Sequence, residues 1–125
     1  MTDNRLAGAA TVFVVTDVPK SMAHYRDALG FAVTFEYGAP LYYACLCRDD
    51  VELHLIDARH TERRPGHGGL CVFVTDVDKL YAELVSRGAS LVNAPQDRPY
   101  GMRDFDARDP DGNHLSFGQA CGTAA

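Results

Sequence analysis

The sequence predicts an α+β fold built from two tandem βαβββ modules. A Val-Thr-Asp-Val motif occurs twice, at residues 15–18 and 74–77, and the two copies are offset by 59 residues (76 − 17). Each copy is preceded by a strand-like run and followed by a helical pattern and further strand-like segments. Self-similarity at this spacing indicates one structural unit built twice, so we expect a binding site where the two copies face each other.

The first module begins with a buried strand at Val12–Val15, a continuously apolar and β-branched run. Asp17 is placed to cap a helix over Val18–Leu29, where apolar residues recur at helical spacing until Gly30 supplies a stop. Turn signals then separate three alternating, strand-like segments. We predict these strands at Phe31–Tyr37, Leu41–Arg48 and Val51–Asp57.

The second module repeats this order. Cys71–Val74 is the predicted strand, Asp76 the helix cap and Gly88 the helix stop. After a polar, proline-containing loop at 93–101, a last hairpin is expected; the predicted strands are Ser90–Val92, Met102–Arg108 and Asn113–Gly118. One domain over 1–125 is expected, with modules at about 8–57 and 69–119 and a Gly- and Arg-rich linker at 58–68.

Charge and hydropathy narrow the function classes. With 17 acidic and 12 basic residues, the net charge of −5 leaves no basic surplus for a phosphate backbone, so we expect no nucleic-acid partner. No stretch approaches the roughly 18 apolar residues of a membrane span. Residues 1–8 lack the apolar run of a secretory signal, and we therefore expect a cytoplasmic protein that does not enter membranes.

Several motifs, taken in order, resemble one protein family. They are Val15–Val18 leading to Tyr25–Phe31, the hairpin segment Val51–Leu55, and Arg108–Asn113. Together they resemble the vicinal oxygen chelate superfamily, which includes glyoxalases, extradiol dioxygenases, fosfomycin-resistance enzymes and bleomycin-resistance proteins. The resemblance implies the glyoxalase/bleomycin-resistance fold, in which curved mixed sheets surround a shared cleft. It also implies a homodimer.

Enzymes of that superfamily hold a divalent metal through His or Glu side chains at fixed positions. By this resemblance three of those positions here are Ala10, Gly69 and Ser116, which do not match a ligand type, and Glu52 alone does. We therefore expect no metal cofactor. The alternative is a displaced site for Zn, Ni, Mn or Fe in a glyoxalase-type lyase, isomerase or dioxygenase, because a shift of two residues keeps a side chain on the same strand face. Its ligands would be Glu52, His54, His67 and His114.

The segment around Pro99-Tyr100-Gly101 resembles bleomycin-resistance proteins, in which an aromatic residue stacks on the flat tail of the antibiotic, and Tyr43 matches a second aromatic wall. The resemblance implies a metal-free protein that sequesters a planar small molecule, such as an antibiotic, that can carry positive charge. The expected ligand contacts are Tyr43, Glu52, His54, Tyr100, Arg103, Phe105 and Ser116.

Two further expectations concern the remaining side chains. A metal-free enzyme with Glu52 or His54 as general base is a third hypothesis, because strand alternation places both residues on one face. Aromatic residues in apolar runs are ordinarily core residues. We expect that role for Phe13, Phe31, Phe73 and Phe117.

Overall fold

The computed structural model describes residues 4–121, which form two α-helices, a short 3₁₀ helix and two four-stranded sheets. Each half of the chain contributes one strand, one helix and three further strands, as the repeat predicts. The elements of the first half are β1 (Thr11–Val15), α1 (Val18–Leu29), β2 (Ala32–Tyr37), β3 (Tyr43–Arg48) and β4 (Val51–Asp57). Those of the second half are β5 (Gly69–Phe73), α2 (Val77–Ser86), β6 (Gln96–Asp97), β7 (Met102–Arg108) and β8 (His114–Ala120).

Both sheets are mixed and share one topology. The first sheet has the order β1-β4-β3-β2 and the second the order β5-β8-β7-β6. In each sheet the strand before the helix pairs in parallel with the last strand of its half, and the other pairings are antiparallel. The predicted α+β fold of two βαβββ units is confirmed. No helix among residues 4–121 is long and apolar enough to cross a membrane.

The helix boundaries follow local sequence signals. The Asp17 carboxylate accepts a hydrogen bond from the Lys20 N–H at 3.0 Å, and Gly30 ends α1 in the left-handed conformation with φ of 74°. At the start of α2 the Asp76 carboxylate accepts from the Lys79 N–H at 3.1 Å. The two helices therefore begin at equivalent places in the repeat.

The strand predicted at Ser90–Val92 is wrong. Within that segment the described pairing is one isolated bridge between Leu91 and Ala107. The fourth strand of the second sheet is Gln96–Asp97, inside the segment predicted as a loop, and it pairs with β7. A strand of two residues is too short to show an alternation of apolar and polar side chains in the sequence, so its pairing depends on tertiary contacts.

One hydrophobic core connects the two halves. Alternate residues of each sheet point toward the helices and are buried, as strand geometry requires. The buried set includes Phe13, Leu53 and Leu55 from the first sheet and Phe105, Leu115 and Phe117 from the second, all in one cluster. Among residues 4–121, no helix covers the opposite face of either sheet. These two surfaces are called here the first and second open faces.

The segment at 58–68, expected to be a linker, packs against β1. It contains a 3₁₀ helix at Ala58–His60, and the Arg63 guanidinium donates to the Val12 carbonyl at 3.0 Å. A Cβ added to Gly68 would lie 2.4 Å from the Phe13 ring, so the glycine permits this close approach. The connection thus covers the free edge of β1.

Candidate functional site

The first open face carries most of the residues expected to form a site. In the strand register, Tyr43 lies opposite Ile56, Cys45 opposite His54, and Cys47 opposite Glu52, and residues paired in this way project from the same face. The same register adds two exposed aromatic rings from β2, Phe35 and Tyr37, which stack with their centroids 6.3 Å apart.

A hydrogen bond joins Tyr43 to His54 on this face. The phenol oxygen lies 2.7 Å from the His54 Nδ1, and the two rings meet edge to face with centroids 5.4 Å apart. Burial, followed by the neighbouring Cys45, raises the pKa of the Tyr43 phenol. Residues 4–121 contain no hydrogen bond between His54 and Glu52, which is exposed. The imidazole is therefore oriented by the phenol and is not hydrogen-bonded to Glu52.

The second open face lies on β5, β7 and β8. Its members are the residues that alternate with the buried ones: Cys71, Phe73, Met102, Asp104, Asp106, His114 and Ser116. Phe73 was expected in the core, but its side chain is 78% exposed because Val72 takes the inward position on β5. The sequence expectation for Phe73 is therefore wrong.

Tyr100 stands at the rim of this face with its ring exposed and its hydroxyl fixed. The ring is 67% exposed, and the hydroxyl donates to the Asp104 carboxylate at 2.5 Å. Asp104 is buried and also accepts from the Arg98 guanidinium at 2.7 Å. The hydrogen bond to Asp104 raises the pKa of the Tyr100 phenol, so the phenol stays protonated at neutral pH. The result is an aromatic surface held in one orientation.

On the same face, His114 and Asp106 form a pair with a distance of 2.9 Å between Nε2 and the carboxylate. Burial acts to raise the pKa of Asp106, but hydrogen bonds from Asn93 and His114 outweigh it and lower that pKa. Ser116 lies opposite Asp106 in the register. This face therefore presents ionised carboxylate oxygens beside the Tyr100 ring.

Arg103 and Phe105 do not join the other expected ligand contacts. Both alternate with Asp104 on β7 and so point toward α2. The Arg103 guanidinium donates to Asp78 at 2.9 Å, and Phe105 is fully buried with its ring stacked on Phe117. The expectation that these two residues contact a ligand on the open face is not supported by their positions.

The donor set does not fit the metal site of the superfamily's enzymes. The three corresponding positions hold Ala10, Gly69 and Ser116. The alternative ligands are not gathered either, because residues 4–121 contain no group of three or more His, Cys, Asp or Glu side chains able to hold an ion. His54 and His114 each have a separate partner, Tyr43 and Asp106. A stable site needs about three protein donors.

A groove that sequence reasoning missed lies on the helix side, between the β3–β4 turn and α2. Its volume is about 550 Å³. The module groove, as it is called below, is lined by Leu29, Phe31, Arg48, Asp49, Asp50, Val51, Val72, Phe73, Val74, Thr75, Asp76, Lys79, Leu80, Glu83, Leu84 and Phe117. Detecting it from sequence would require comparing the lengths of the two hairpin turns.

The geometry agrees with what comparison with known families finds. Residues 9–117 match the Glyoxalase/Bleomycin resistance protein/Dioxygenase superfamily. The chain belongs to this superfamily. The resemblance that the motifs suggested is therefore confirmed, and so is the fold of the glyoxalase/bleomycin-resistance superfamily. No curated protein sequence matches the chain.

Solved structures of the superfamily show how widely this fold is used. A bleomycin-binding protein from bleomycin-producing Streptomyces verticillus, solved with copper(II)-bleomycin, is 28% identical to this chain with a TM-score of 0.75. The match covers 92% of this chain and 97% of that protein. Lactoylglutathione lyase from Agrobacterium tumefaciens is 20% identical with a TM-score of 0.74 (94% and 96% covered). A glyoxalase/bleomycin resistance protein/dioxygenase from Nocardioides is 21% identical with a TM-score of 0.76 (97% and 87% covered). Because binding proteins and enzymes share the superfamily fold, function must be argued from the site.

Proposed function

We propose that this protein binds a planar, cationic small molecule, such as a bleomycin-type antibiotic, on its open faces and holds no metal of its own. The observation that carries the proposal is the Tyr100 ring, exposed over two thirds of its surface while its hydroxyl is tied to the buried Asp104. An aromatic ring fixed in this way loses little conformational entropy when a ligand stacks on it.

Tyr43 supports the same proposal on the first open face. Its hydroxyl is also tied to a neighbour, His54, which leaves the ring as a contact surface. Aromatic stacking contributes about 0.5 to 1.5 kcal/mol per contact beyond area burial, and a cation near a ring adds about as much. The Asp106 carboxylate, ionised at neutral pH, supplies a counter-charge near Tyr100.

Two comparisons weigh in favour of binding over metal-dependent catalysis. The Streptomyces verticillus protein, a bleomycin-binding protein, is more similar in sequence to this chain, at 28%, than the lyase, at 20%. The positions that hold a metal in the enzymes carry a methyl group, a hydrogen atom and a hydroxyl here, in Ala10, Gly69 and Ser116. We further propose that a homodimer completes the ligand groove, because Phe35, Tyr37 and Phe73 are exposed on the open faces.

Calorimetric titration with metal-free bleomycin tests the proposal. We expect submicromolar affinity, a loss of about tenfold for Tyr100→Ala, and a smaller loss for Tyr100→Phe, which keeps the ring and removes only the hydroxyl tether. Equal affinity for wild type and Tyr100→Ala would contradict the assignment of the site. A flat titration across bleomycin and other planar cations would contradict the function itself.

A further inference from the structure

In each half, the turn before the last strand lies near the helix of the other half. The sequence repeat makes these two contacts equivalent, but they differ in structure. At one end the β7–β8 turn, residues 109–113, packs against the start of α1. The Asp111 carboxylate accepts hydrogen bonds from the Thr16 N–H and hydroxyl at 3.1 and 2.8 Å. The Tyr25 phenol donates to the Asp109 carboxylate at 2.9 Å. Side chains of the protein itself therefore occupy this end.

At the other end, the equivalent positions leave space. The offset of 59 residues places Thr75 at the position of Thr16 and Leu84 at that of Tyr25 (75 − 16 and 84 − 25). The β3–β4 turn has two residues, 49–50, where the β7–β8 turn has five, 109–113. Within residues 4–121, Thr75 has no hydrogen-bond partner equivalent to Asp111. The module groove occupies this space, and both Thr75 and Leu84 line it.

The chemistry of the groove is divided between its floor and its rim. The apolar side chains at its base, Leu29, Phe31, Val72, Leu84 and Phe117, are each at most 7% exposed, so the apolar surface open to a ligand comes mainly from the half-buried Val51, Val74 and Leu80. On the rim, four carboxylates face two cations, and the Arg48 guanidinium is paired with Glu83 at 2.8 Å. Asp49 lies 4.0 Å from the same guanidinium with its side chain 90% exposed, and Asp50 adds further negative charge to the turn.

We propose that the module groove binds an aromatic amino acid. Its carboxylate would accept from Thr75 as Asp111 accepts from Thr16. Its ring would lie on the half-buried Val74 and Leu80, next to Leu84, which stands where the opposite end has the Tyr25 ring. Its ammonium group would face the acidic β3–β4 turn. The volume of about 550 Å³ lies within the range of small-molecule sites. Of the open-face residues named above, Phe73 alone also lines the groove, and the other lining residues lie on the helix side of the sheets, so the site is separate from Tyr43 and Tyr100.

L-Tryptophan is a suitable probe because the protein contains no tryptophan, and indole emission therefore reports the ligand alone. We expect saturable binding of L-tryptophan to the full-length protein. Tryptamine lacks the carboxylate and indole-3-propionate lacks the ammonium group, and each is expected to bind about tenfold more weakly, which is the effect of one hydrogen bond to a charged group. Absence of saturation at millimolar L-tryptophan, or equal affinity for tryptamine, would overturn the proposal.

Two variants locate the site. Thr75→Val keeps the side-chain shape and removes the hydroxyl, and we expect L-tryptophan to bind about tenfold more weakly to it. Leu84→Tyr introduces the residue of the opposite end and should abolish binding, whereas Val85→Tyr, at an exposed neighbour outside the groove lining, should leave affinity unchanged. If Leu84→Tyr does not fold by circular dichroism, Thr75→Val decides alone. Unchanged affinity of Thr75→Val, or loss of binding in Tyr100→Ala, would overturn the assignment to the groove.

Discussion

The hydrogen bond from Tyr25 to Asp109 joins the two halves of the protein, and Tyr25→Phe removes it without removing the ring. Tyr25 is fully buried and Asp109 is 5% exposed, so water cannot replace the lost donor. The carboxylate keeps the backbone N–H groups of Asp111 and Asn113, at 2.9 and 2.8 Å, and the Asn113 amide. Because one hydrogen bond to a buried charged group is lost, we expect the free energy of unfolding to fall by about 1.5 to 3 kcal/mol.

Urea unfolding followed by circular dichroism measures this change. Tyr25→Phe should lower the midpoint with little change in slope, since the surface exposed on unfolding is unchanged. Tyr81→Phe is the matched control, because its ring packs on Phe105 and its hydroxyl has no hydrogen bond within residues 4–121. The control should change the free energy of unfolding by no more than about 0.5 kcal/mol. Equal effects of the two variants would refute the role given to the bond.

The pH dependence of stability gives a second readout of the same contact. Burial and the Asp109 carboxylate raise the pKa of the Tyr25 phenol above its ordinary value of 10.0. The folded protein therefore keeps a proton that the unfolded chain releases. The stabilisation is fully present below about pH 10 and is lost progressively as the pH rises above it. Tyr25→Phe should show a weaker loss of stability in that range, and an identical alkaline profile for both proteins would contradict the assignment.

Three further predictions concern the rest of the scaffold. Hydrogen bonds from Arg59 lower the pKa of buried Asp57 from 3.8 to about 2, so its contribution to stability is present above pH 3.8 and lost toward pH 2. Arg59→Met should therefore reduce the fall of Tm with decreasing pH in this range. The same fall in wild type and variant would contradict this. Gly66→Ala places a Cβ 2.1 Å from a backbone carbonyl of the β7–β8 turn at φ of 80°, so we expect several degrees lower Tm; an unchanged Tm would show that the linker does not pack there. Arg48→Met removes two hydrogen bonds to Glu83 and should lower the free energy of unfolding in urea by about 1 kcal/mol. An unchanged free energy would show that the ion pair contributes nothing to stability.

The fold could be predicted because its signals are local. The Asp17 cap and the Gly30 stop determine both ends of α1, and the apolar alternation of β4 and β7 determines their bounds as predicted. The edge strand β6 could not be predicted, because two polar residues acquire their conformation only by pairing with β7. Residues 1–3 and 122–125 lie outside the described range.

The strand faces of the expected ligand contacts could be predicted only in part. Tyr43, Glu52, His54 and Ser116 lie on the open faces, as strand alternation predicts, and their contact with a ligand stays a prediction. Arg103 and Phe105 were included from their place in a motif. The apolar alternation of Phe105 with Ala107 predicts instead that the odd-numbered residues of β7 face the core. The module groove depends on the different lengths of the turns at 49–50 and 109–113 and on a change of side-chain size between equivalent helix positions, so no single motif in the sequence indicates it.

Titration of the protein with metal-free bleomycin, in excess EDTA and in buffer without chelator, tests the central proposal most directly. The protein should be purified without a metal-affinity tag and its metal content measured beforehand. We predict the same submicromolar Kd in both titrations, because aromatic rings and carboxylates supply the contacts. Stoichiometric Zn, Ni, Mn or Fe in the purified protein, together with binding that EDTA abolishes, would contradict the account.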